Sequence, residues 1–189
     1  LISSMDADHL DIYGNHQEVI TSFHEFAKQI HENGILIHKK NLDFSGIESF
    51  LSEKNIKIFS YSLDDTSSDY FAFNIKIADN KYVFDIRTPE FILKNIKIQI
   101  PGKINIENTV AAVAVSLESG IDKDDVANAC GSFLGVNRRF DIKFQNEKIT
   151  VIDDYAHHPE ELKACISSIK DLYPRQKIIV VFQPHLYSR

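Results

Sequence analysis

Ionisable residues are concentrated in one stretch of this chain, VIDDYAHHPE at residues 151–160. An apolar run ends there at two carboxylates, and two histidines then precede Pro159. Proline is favoured at the first position of a helix, where its missing N–H costs nothing, and acids suit the positive end of the helix. The pattern predicts a buried strand, a short loop rich in ionisable groups, and a helix that begins at Pro159. Side chains at the carboxyl end of a strand lie where open α/β sheets bind ligands.

A second group of ionisable residues consists of Asp6, Asp8, His9 and Asp11. Carboxylate and neutral imidazole are ligands of Mg²⁺, Mn²⁺ and Zn²⁺, so this group is a candidate metal site or metal–phosphate site. An acidic turn that caps the following helix has the same composition and is the simpler explanation. The residues alone leave both interpretations open.

Two further pairs have side chains suited to nucleotides. Asn105 and Asn108 lie one turn apart at a predicted helix start, and an amide can pair with the edge of a purine. Ordinary helix capping explains asparagine there without any ligand. Arg138 and Arg139 are adjacent in a glycine-containing hinge, and the planar guanidinium fork suits phosphate, although exposed arginine pairs often bind nothing.

The composition is that of an ordinary globular protein. The 189 residues, 43% of them apolar and 25% charged, suffice for one large domain or two small ones. The net charge of −6 argues against a general nucleic-acid surface and favours small-molecule partners. Two cysteines without metal-type spacing fit a reduced, cytoplasmic compartment. No apolar run approaches the length of a membrane span, and the first residues do not form a signal peptide.

The elements that must position these groups alternate in the first half of the chain. Short apolar runs and amphipathic segments follow one another, and this alternation builds parallel sheets. The predicted elements are a helix at 18–32, a strand at 34–38, a helix at 44–53 and a strand at 56–61. Period-two alternation then predicts antiparallel strands, which we interpret as a small side sheet, at 70–77, 82–87 and 96–100.

The second half returns to helices and buried strands. Its predicted elements are helices at 109–118 and 122–133, a hairpin at 140–144 and 149–152, a helix at 159–172 and a fully buried strand at 177–182. Strand, helix and strand in this order begin a nucleotide-binding α/β fold. We therefore predict an α/β protein: a parallel sheet with flanking helices and a small antiparallel side sheet, followed by the start of a second, Rossmann-like domain.

Five blocks spread over nearly the whole chain resemble the Mur ligases and stand in the order seen in that family. The blocks are DADHLDIYG (6–14), GKINIEN (102–108), VNRRF (136–140), DDYAHHP (153–159) and FQPHLYSR (182–189). The histidine–histidine–proline block and the last block are the most specific. The resemblance implies that residues 1–136 are the later part of the central ATPase-like domain and residues 137–189 the first part of the C-terminal domain.

The resemblance implies an ATP-dependent, amide-forming ligase of peptidoglycan precursor synthesis, with ATP and Mg²⁺ as cofactors. The blocks are most similar to the members that join L-alanine to UDP-N-acetylmuramate, so these are the implied substrates. In this family the muramate carboxylate is activated as an acyl phosphate, which the alanine amine attacks. Because the carboxylate and the γ-phosphate are both anionic, cations must neutralise them.

By the same resemblance, five residues form the nucleotide site. Asn105 and Asn108 contact adenine. The family often has histidine at position 104, but this chain has Ile104, so the contact would depend on the two asparagines. Arg138 and Arg139 meet the ATP phosphates. Asp154 touches the ribose.

The resemblance also implies a metal ligand and a reaction region. His9 is the implied Mg²⁺ ligand, and the residues that line the reaction region are Tyr155, His157, His185 and Arg189. Position 186, a leucine here, is an arginine in some relatives, which removes one anion contact. No Gly-x-x-x-x-Gly-Lys-Ser/Thr phosphate loop occurs in the 189 residues. We therefore expect the chain to be an internal segment that is inactive alone.

Two other functions are compatible with the residues. A metal-dependent hydrolase would use the acidic group at residues 6–11 with His157 and His158, and it would bind metal and cleave esters without ATP. A non-catalytic nucleotide-binding module is favoured if the phosphate loop is naturally absent. A strand and a glycine-rich loop with Lys and Thr preceding this segment would decide for the ligase.

Overall fold

Five strands form one mixed sheet, in the order β1-β2-β3-β4-β5, in the computed structural model, which describes residues 1–7, 10–78 and 81–184. The strands are β1 (Ile35–Lys39), β2 (Lys57–Ser62), β3 (Tyr70–Ala78), β4 (Lys81–Arg87) and β5 (Ile92–Ile98). The first three strands are parallel, and β3, β4 and β5 pair antiparallel. Ile2 extends the β1 edge through a parallel bridge to His38. The predicted α/β class is confirmed. The strands predicted at 70–77, 82–87 and 96–100 as a small side sheet instead continue the sheet of the parallel strands, because β3 pairs with β2.

The helices of the described residues surround this sheet, and polar caps start two of them. They are α1 (Leu10–Tyr13), α2 (His16–Ala27), α3 (Glu48–Glu53), α4 (Lys103–Glu118), α5 (Lys123–Ser132) and α6 (Pro159–Leu172). Asn15 accepts the N–H of Glu18 at 3.1 Å before α2, and Asp122 accepts that of Asp124 at 2.8 Å before α5. Within the described part of the chain, none of these helices is long and apolar enough to cross a membrane.

Both faces of the sheet are covered at β1, where successive side chains point to opposite faces. Ile37 belongs to the larger core, where Ile106 and Val110 of α4 pack fully buried against the strands. Leu36 belongs to a second, smaller core between the sheet and helices α2 and α3. Ala111 and Ala114 of α4 are buried in the larger core, and Glu107 near the start of the helix contacts Lys39 at the carboxyl end of β1.

The antiparallel strands contain two irregularities that meet at Asp85. The register shifts between Phe73 and Lys76 on one side of β4, and again along β4 itself on the other. Asn74 and Asn95 have positive φ values of 52° and 57°. The Asp85 carboxylate accepts the Asn74 amide at 2.9 Å and the Asn95 backbone N–H at 2.8 Å. One side chain therefore connects three strands where their pairing is interrupted.

The last third of the chain forms a hairpin and helix α6, which pack on the larger core. The hairpin strands are β6 (Asp141–Gln145) and β7 (Thr150–Asp153). Phe140 and Leu172 are buried in the same cluster as β4 and α4. Lys103 at the start of α4 forms an ion pair with Asp171 of α6 at 3.0 Å. The start of α4 is therefore fixed from both sides, by the sheet and by α6.

The predicted buried strand at 177–182 is wrong for this structure. Residues 177–184 have no strand pairing, and Ile179 and Val181 are 78% and 95% exposed. The apolar run is typical of a strand covered on both faces, but a strand is stabilised by its neighbours in a sheet. The pairing described for this chain provides no neighbour for this run.

Candidate functional site

A cleft of about 1260 Å³ brings together five of the predicted site residues. Helix α4 contributes Asn105 and Asn108, and the last third of the chain contributes Arg139, Asp154 and His157. The first residues of the chain and the carboxyl ends of β1 and β2 form its floor. This is the edge of a parallel sheet where ligands usually bind.

The two asparagines on α4 differ in their surroundings. Asn105 donates its amide to the backbone oxygen of Pro101 at 2.7 Å, which closes the first turn of the helix. Asn108 is exposed and forms no side-chain hydrogen bond within the described residues. Gly102 precedes α4 with φ of 113°, and a Cβ there would lie 3.1 Å from the Ser168 hydroxyl. Asn108 therefore lines the cleft with an exposed amide that can form hydrogen bonds with a ligand.

An ion pair that the sequence did not indicate lies beside these asparagines. Lys39 at the end of β1 approaches Glu107 of α4 at 2.9 Å, and the Glu107 side chain is only 12% exposed. Burial, and next the charge of Glu107, raise the pKa of Tyr61 to about 12. All three residues line the cleft. Position at the carboxyl end of a strand is the signal that could have identified Lys39.

The segment at residues 138–140 is held to the loop after β7 by two hydrogen bonds, one to a backbone oxygen and one to a side-chain carboxylate. Tyr155 donates its N–H to the backbone oxygen of Arg138 at 2.7 Å, and Phe140 donates its N–H to Asp154 at 2.8 Å. Arg138 and Phe140 have positive φ values of 61° and 49°. The backbone on both sides of Arg139 is therefore held in place by these hydrogen bonds.

Arg138 and Tyr155 pack against each other and do not line the cleft. The Arg138 guanidinium lies 4.7 Å from the centre of the Tyr155 ring, and its Nε is 3.7 Å from Asp153. The Tyr155 ring is also edge-on to that of His157, with centroids 5.2 Å apart. Arg138 thus supports the aromatic side of the loop in this structure.

Asp154 has structural partners that the sequence did not predict. Its two carboxylate oxygens accept the N–H groups of Phe140 and Ala156, each at 2.8 Å. Burial, and next the neighbouring Asp154 carboxylate, raise the pKa of the Cys165 thiol to about 11. The carboxylate therefore fixes the loop, and a ribose contact would use its remaining lone pairs.

Glu161 links the histidine loop to Arg139. Its Oε2 accepts the N–H groups of His157 and His158 at 3.1 Å and 3.3 Å, and its Oε1 lies 3.2 Å from Arg139 Nη1. Burial raises the pKa of this carboxyl, but the two backbone donors and Arg139 outweigh burial and lower it overall. The sequence identified this residue only as an acid suited to a helix start.

The predicted metal site falls largely outside the described residues. His185 and Arg189, predicted for the reaction region, also lie outside them. His9 and Asp8 are not among the residues described, and Asp6 accepts the hydroxyl of Ser4 at 2.7 Å. In residues 1–7, 10–78 and 81–184, no group of three or more His, Cys, Asp or Glu side chains is placed to hold a metal ion. Metal ligation by His9 therefore stays a prediction.

Comparison of the chain with models of known families identifies the class of protein to which it belongs. The family model described as the Mur ligase middle domain matches residues 1–116, and that of the Mur ligase glutamate ligase domain matches residues 138–188. The chain belongs to the Mur ligase family. The resemblance predicted from the five blocks is confirmed.

The relatives specify a particular branch of the family. The UDP-N-acetylmuramate–L-alanine ligases of Christiangramia forsetii and Flavobacterium johnsoniae are 43% and 39% identical to this chain over 188 residues. Each match covers 100% of this chain and 39% of the relative, so the chain spans 39% of the length of these proteins.

Solved structures have the same fold. The UDP-N-acetylmuramate-alanine ligase MurC from Thermotoga maritima matches with a TM-score of 0.74 and 24% identity, over 96% of this chain and 40% of that one. MurF from Acinetobacter baumannii matches with a TM-score of 0.71 and 21% identity, over 93% of this chain and 38% of that one. The arrangement of elements is thus shared between ligases of different names.

Proposed function

We propose that this chain is part of a cytoplasmic ligase that joins L-alanine to UDP-N-acetylmuramate at the expense of ATP, in peptidoglycan precursor synthesis. Family membership and the names of the most similar relatives support this proposal. The two predicted units, residues 1–136 and 137–189, would be parts of the central and C-terminal domains.

The observation that carries the proposal is the composition of the cleft. Amides from α4 line the same cleft as a guanidinium, a carboxylate and an imidazole from the last third of the chain. Asn108 and Asn105 would contact adenine, Asp154 the ribose, and Arg139 the phosphates. Because these groups come from segments that match two different family models, a nucleotide in the cleft would contact both.

The chemistry requires a carboxylate to attack a phosphate although both are anionic. ATP supplies the phosphoryl group: a carboxylate oxygen of the muramate bonds to the γ-phosphorus, and the bond to ADP breaks. The alanine nitrogen then attacks the carbonyl carbon and loses a proton, and phosphate leaves as the amide forms. Arg139 would offset the negative charge at the first step, and Arg138 would add its positive charge from outside the lining of the cleft.

The remaining predicted residues would act on the muramate and alanine side. Tyr155 and His157 lie together at the loop after β7, where the imidazole Nδ1 is 3.0 Å from the Tyr155 backbone oxygen. His185 and Arg189 are proposed for the same region, and His9 for Mg²⁺. The metal would neutralise phosphate charge when bound.

Nucleotide binding by this chain tests the proposal. ATP should displace a fluorescent ATP analogue from the chain, and GTP should displace it less well, because the Asn amides would pair with adenine. If ATP and GTP displace the analogue equally well, or if neither displaces it, the adenine site is contradicted. A hydrolase of the kind considered above would instead bind metal and cleave esters without ATP.

Catalysis by the chain alone is not expected, because its 189 residues contain no phosphate-loop motif. Incubation with ATP, Mg²⁺, UDP-N-acetylmuramate and L-alanine should release no phosphate above the background without alanine. Alanine-dependent phosphate release by this chain would overturn that part of the proposal.

A further inference from the structure

Arg139 and Glu161 form an ion pair at the wall of the cleft. One contact joins them, from Nη1 to Oε1 at 3.2 Å, and their side chains are 52% and 35% exposed. An exposed ion pair with a single contact contributes about 0–1 kcal/mol. Phosphate presents several oxygens to the guanidinium fork and binds it more strongly than one carboxylate oxygen does. Glu161 is therefore a partner that phosphate can replace.

The two oxygens of Glu161 have separate partners. Oε2 accepts the N–H groups of His157 and His158 and has no contact with Arg139 among those described. Departure of the guanidinium would leave these two hydrogen bonds intact. The loop that contains both histidines would therefore keep its geometry while Arg139 changes partner.

The backbone of Arg139 is fixed independently of its side chain. Arg138 and Phe140 have left-handed backbone conformations, and Asp154 accepts the Phe140 N–H at 2.8 Å. Arg139 and Glu161 both line the cleft, so rotation of the arginine side chain alone would transfer the guanidinium from Glu161 to a ligand there. No loop movement is needed for that exchange.

We propose that Glu161 is a positioning residue that competes with phosphate for Arg139. Without a ligand it holds the guanidinium at the cleft wall, and a bound polyphosphate takes the guanidinium while Oε2 keeps the histidine loop in place. The proposal deepens the proposed function, because it rests on Arg139 as the phosphate-binding residue.

Pyrophosphate titration of this chain, followed by NMR of arginine Nε–Hε signals, tests the exchange. The Arg139 signal, assigned by its loss in Arg139→Lys, should shift on binding, and that variant should bind more weakly. Glu161→Gln keeps an oxygen for the two N–H groups but loses the charge. It should bind pyrophosphate about 1.5- to 5-fold more tightly, the range that an exposed ion pair allows.

Glu147→Gln is the matched control, because it removes the same charge from the turn between β6 and β7. It should change pyrophosphate affinity less than Glu161→Gln does. Unchanged or weaker binding by Glu161→Gln overturns the proposal, as does unaltered binding by Arg139→Lys. In the native chain itself, an assigned Arg139 signal that does not shift at saturation, or the lack of any pyrophosphate binding, also overturns it, whatever the affinity of Glu161→Gln.

Failure of the proposed function gives a different result. If ATP binds no more tightly than pyrophosphate, the adenine site is contradicted, while a shifted Arg139 signal still supports the exchange. If ATP binds tightly and the Arg139 signal stays in place, the nucleotide site stands and the role of Glu161 is overturned.

Discussion

Asn105 and Asn108 are one helical turn apart, and their side chains have different surroundings. The first closes the start of α4 through Pro101, and the second is exposed in the cleft. A buried or half-buried hydrogen bond contributes to stability, whereas an exposed amide without a partner contributes to folding hardly at all. Substitution at Asn108 can therefore test adenine contact with little effect on stability.

Asn105→Ala should lower the free energy of unfolding by about 1 kcal/mol, because the Pro101 oxygen loses its donor. Asn108→Ala should change it by less than about 0.5 kcal/mol, as surface substitutions usually do, yet weaken ATP binding severalfold. Urea unfolding and displacement of a fluorescent ATP analogue measure the two quantities. An Asn108→Ala chain with unaltered ATP affinity would contradict adenine contact by this residue.

His38 makes folding dependent on pH. Burial is the main cause that lowers its pKa from 6.5, and Lys40 adds to it, while the Lys39 backbone oxygen and Asp69 act in the opposite direction. The unfolded chain therefore binds a proton on this imidazole more readily than the folded chain. Stability from His38 is present above pH 6.5 and is lost as the pH falls through 6.5 toward the lower folded pKa.

The free energy of unfolding should therefore be greater at pH 8 than at pH 5.5, and this difference should shrink in His38→Leu. Urea unfolding at both pH values measures it. His31→Gln, which removes an exposed imidazole, controls for the general loss of a histidine. An equal pH dependence in His38→Leu and the native chain would rule out His38 as its source.

Sequence reasoning named side chains that the structure brings together in one cleft, but it could not show how these side chains are held. Five of the predicted site residues line it, although their roles remain predictions. Glu161 meets Arg139 across 22 positions, and Glu107 meets Lys39 across 68. Contacts over such separations follow from the packing of elements, which no local spacing encodes.

At the scale of elements, asparagine often occupies the left-handed positions of this chain. Five asparagines have positive φ: Asn33, Asn41, Asn55, Asn74 and Asn95. Asparagine tolerates this conformation better than other residues with a Cβ. In β3 and β5 it marks the irregular pairing at which Asp85 connects three strands.

Asp85→Ala should lower the free energy of unfolding by about 1–2 kcal/mol, because a hydrogen-bonded amide and a backbone N–H lose a charged acceptor that is partly exposed. Urea unfolding measures the change. Asp85→Asn keeps one oxygen acceptor and should therefore lower the free energy of unfolding by less than Asp85→Ala does. Equal stability of Asp85→Ala and the native chain would show that the strands hold this pairing without the carboxylate.

Local signals explain which elements were predicted well. Helix α6 runs from Pro159 to Leu172, as predicted from a proline at its start and another just beyond its end. The β5 strand begins at Ile92, earlier than predicted, because pairing with β4 extends it. The run at 177–182 has strand composition but no partner, and pairing is not a local property. Composition predicts which segments can be strands, and the rest of the fold decides which of them pair.

At the scale of the whole molecule, the two predicted units share one core. Phe140 and Leu172, from the last third of the chain, are buried with the central strands and α4. Removal of buried side chains from α6 should therefore destabilise strands that are distant in sequence. Independent units would not respond in this way.

Leu172→Ala should lower the free energy of unfolding by about 2–4 kcal/mol, and amide exchange at Phe84 and Ile86 of β4 should accelerate with it. Val181→Ala, at a position that is 95% exposed, is the control and should leave exchange in β4 as it is. Acceleration confined to α6 and the hairpin in Leu172→Ala would indicate two separately unfolding units.

The unpaired run at residues 178–182 has a consequence for behaviour in solution. Its five residues are Ile, Ile, Val, Val and Phe, without a charge or a proline, and the last four of them are exposed. Segments of this composition form strands with copies of themselves. Light scattering should therefore rise with protein concentration, and Val181→Asp should suppress the rise while leaving the fold intact. Colloidal stability in this chain is then set by five residues that contribute nothing to its core.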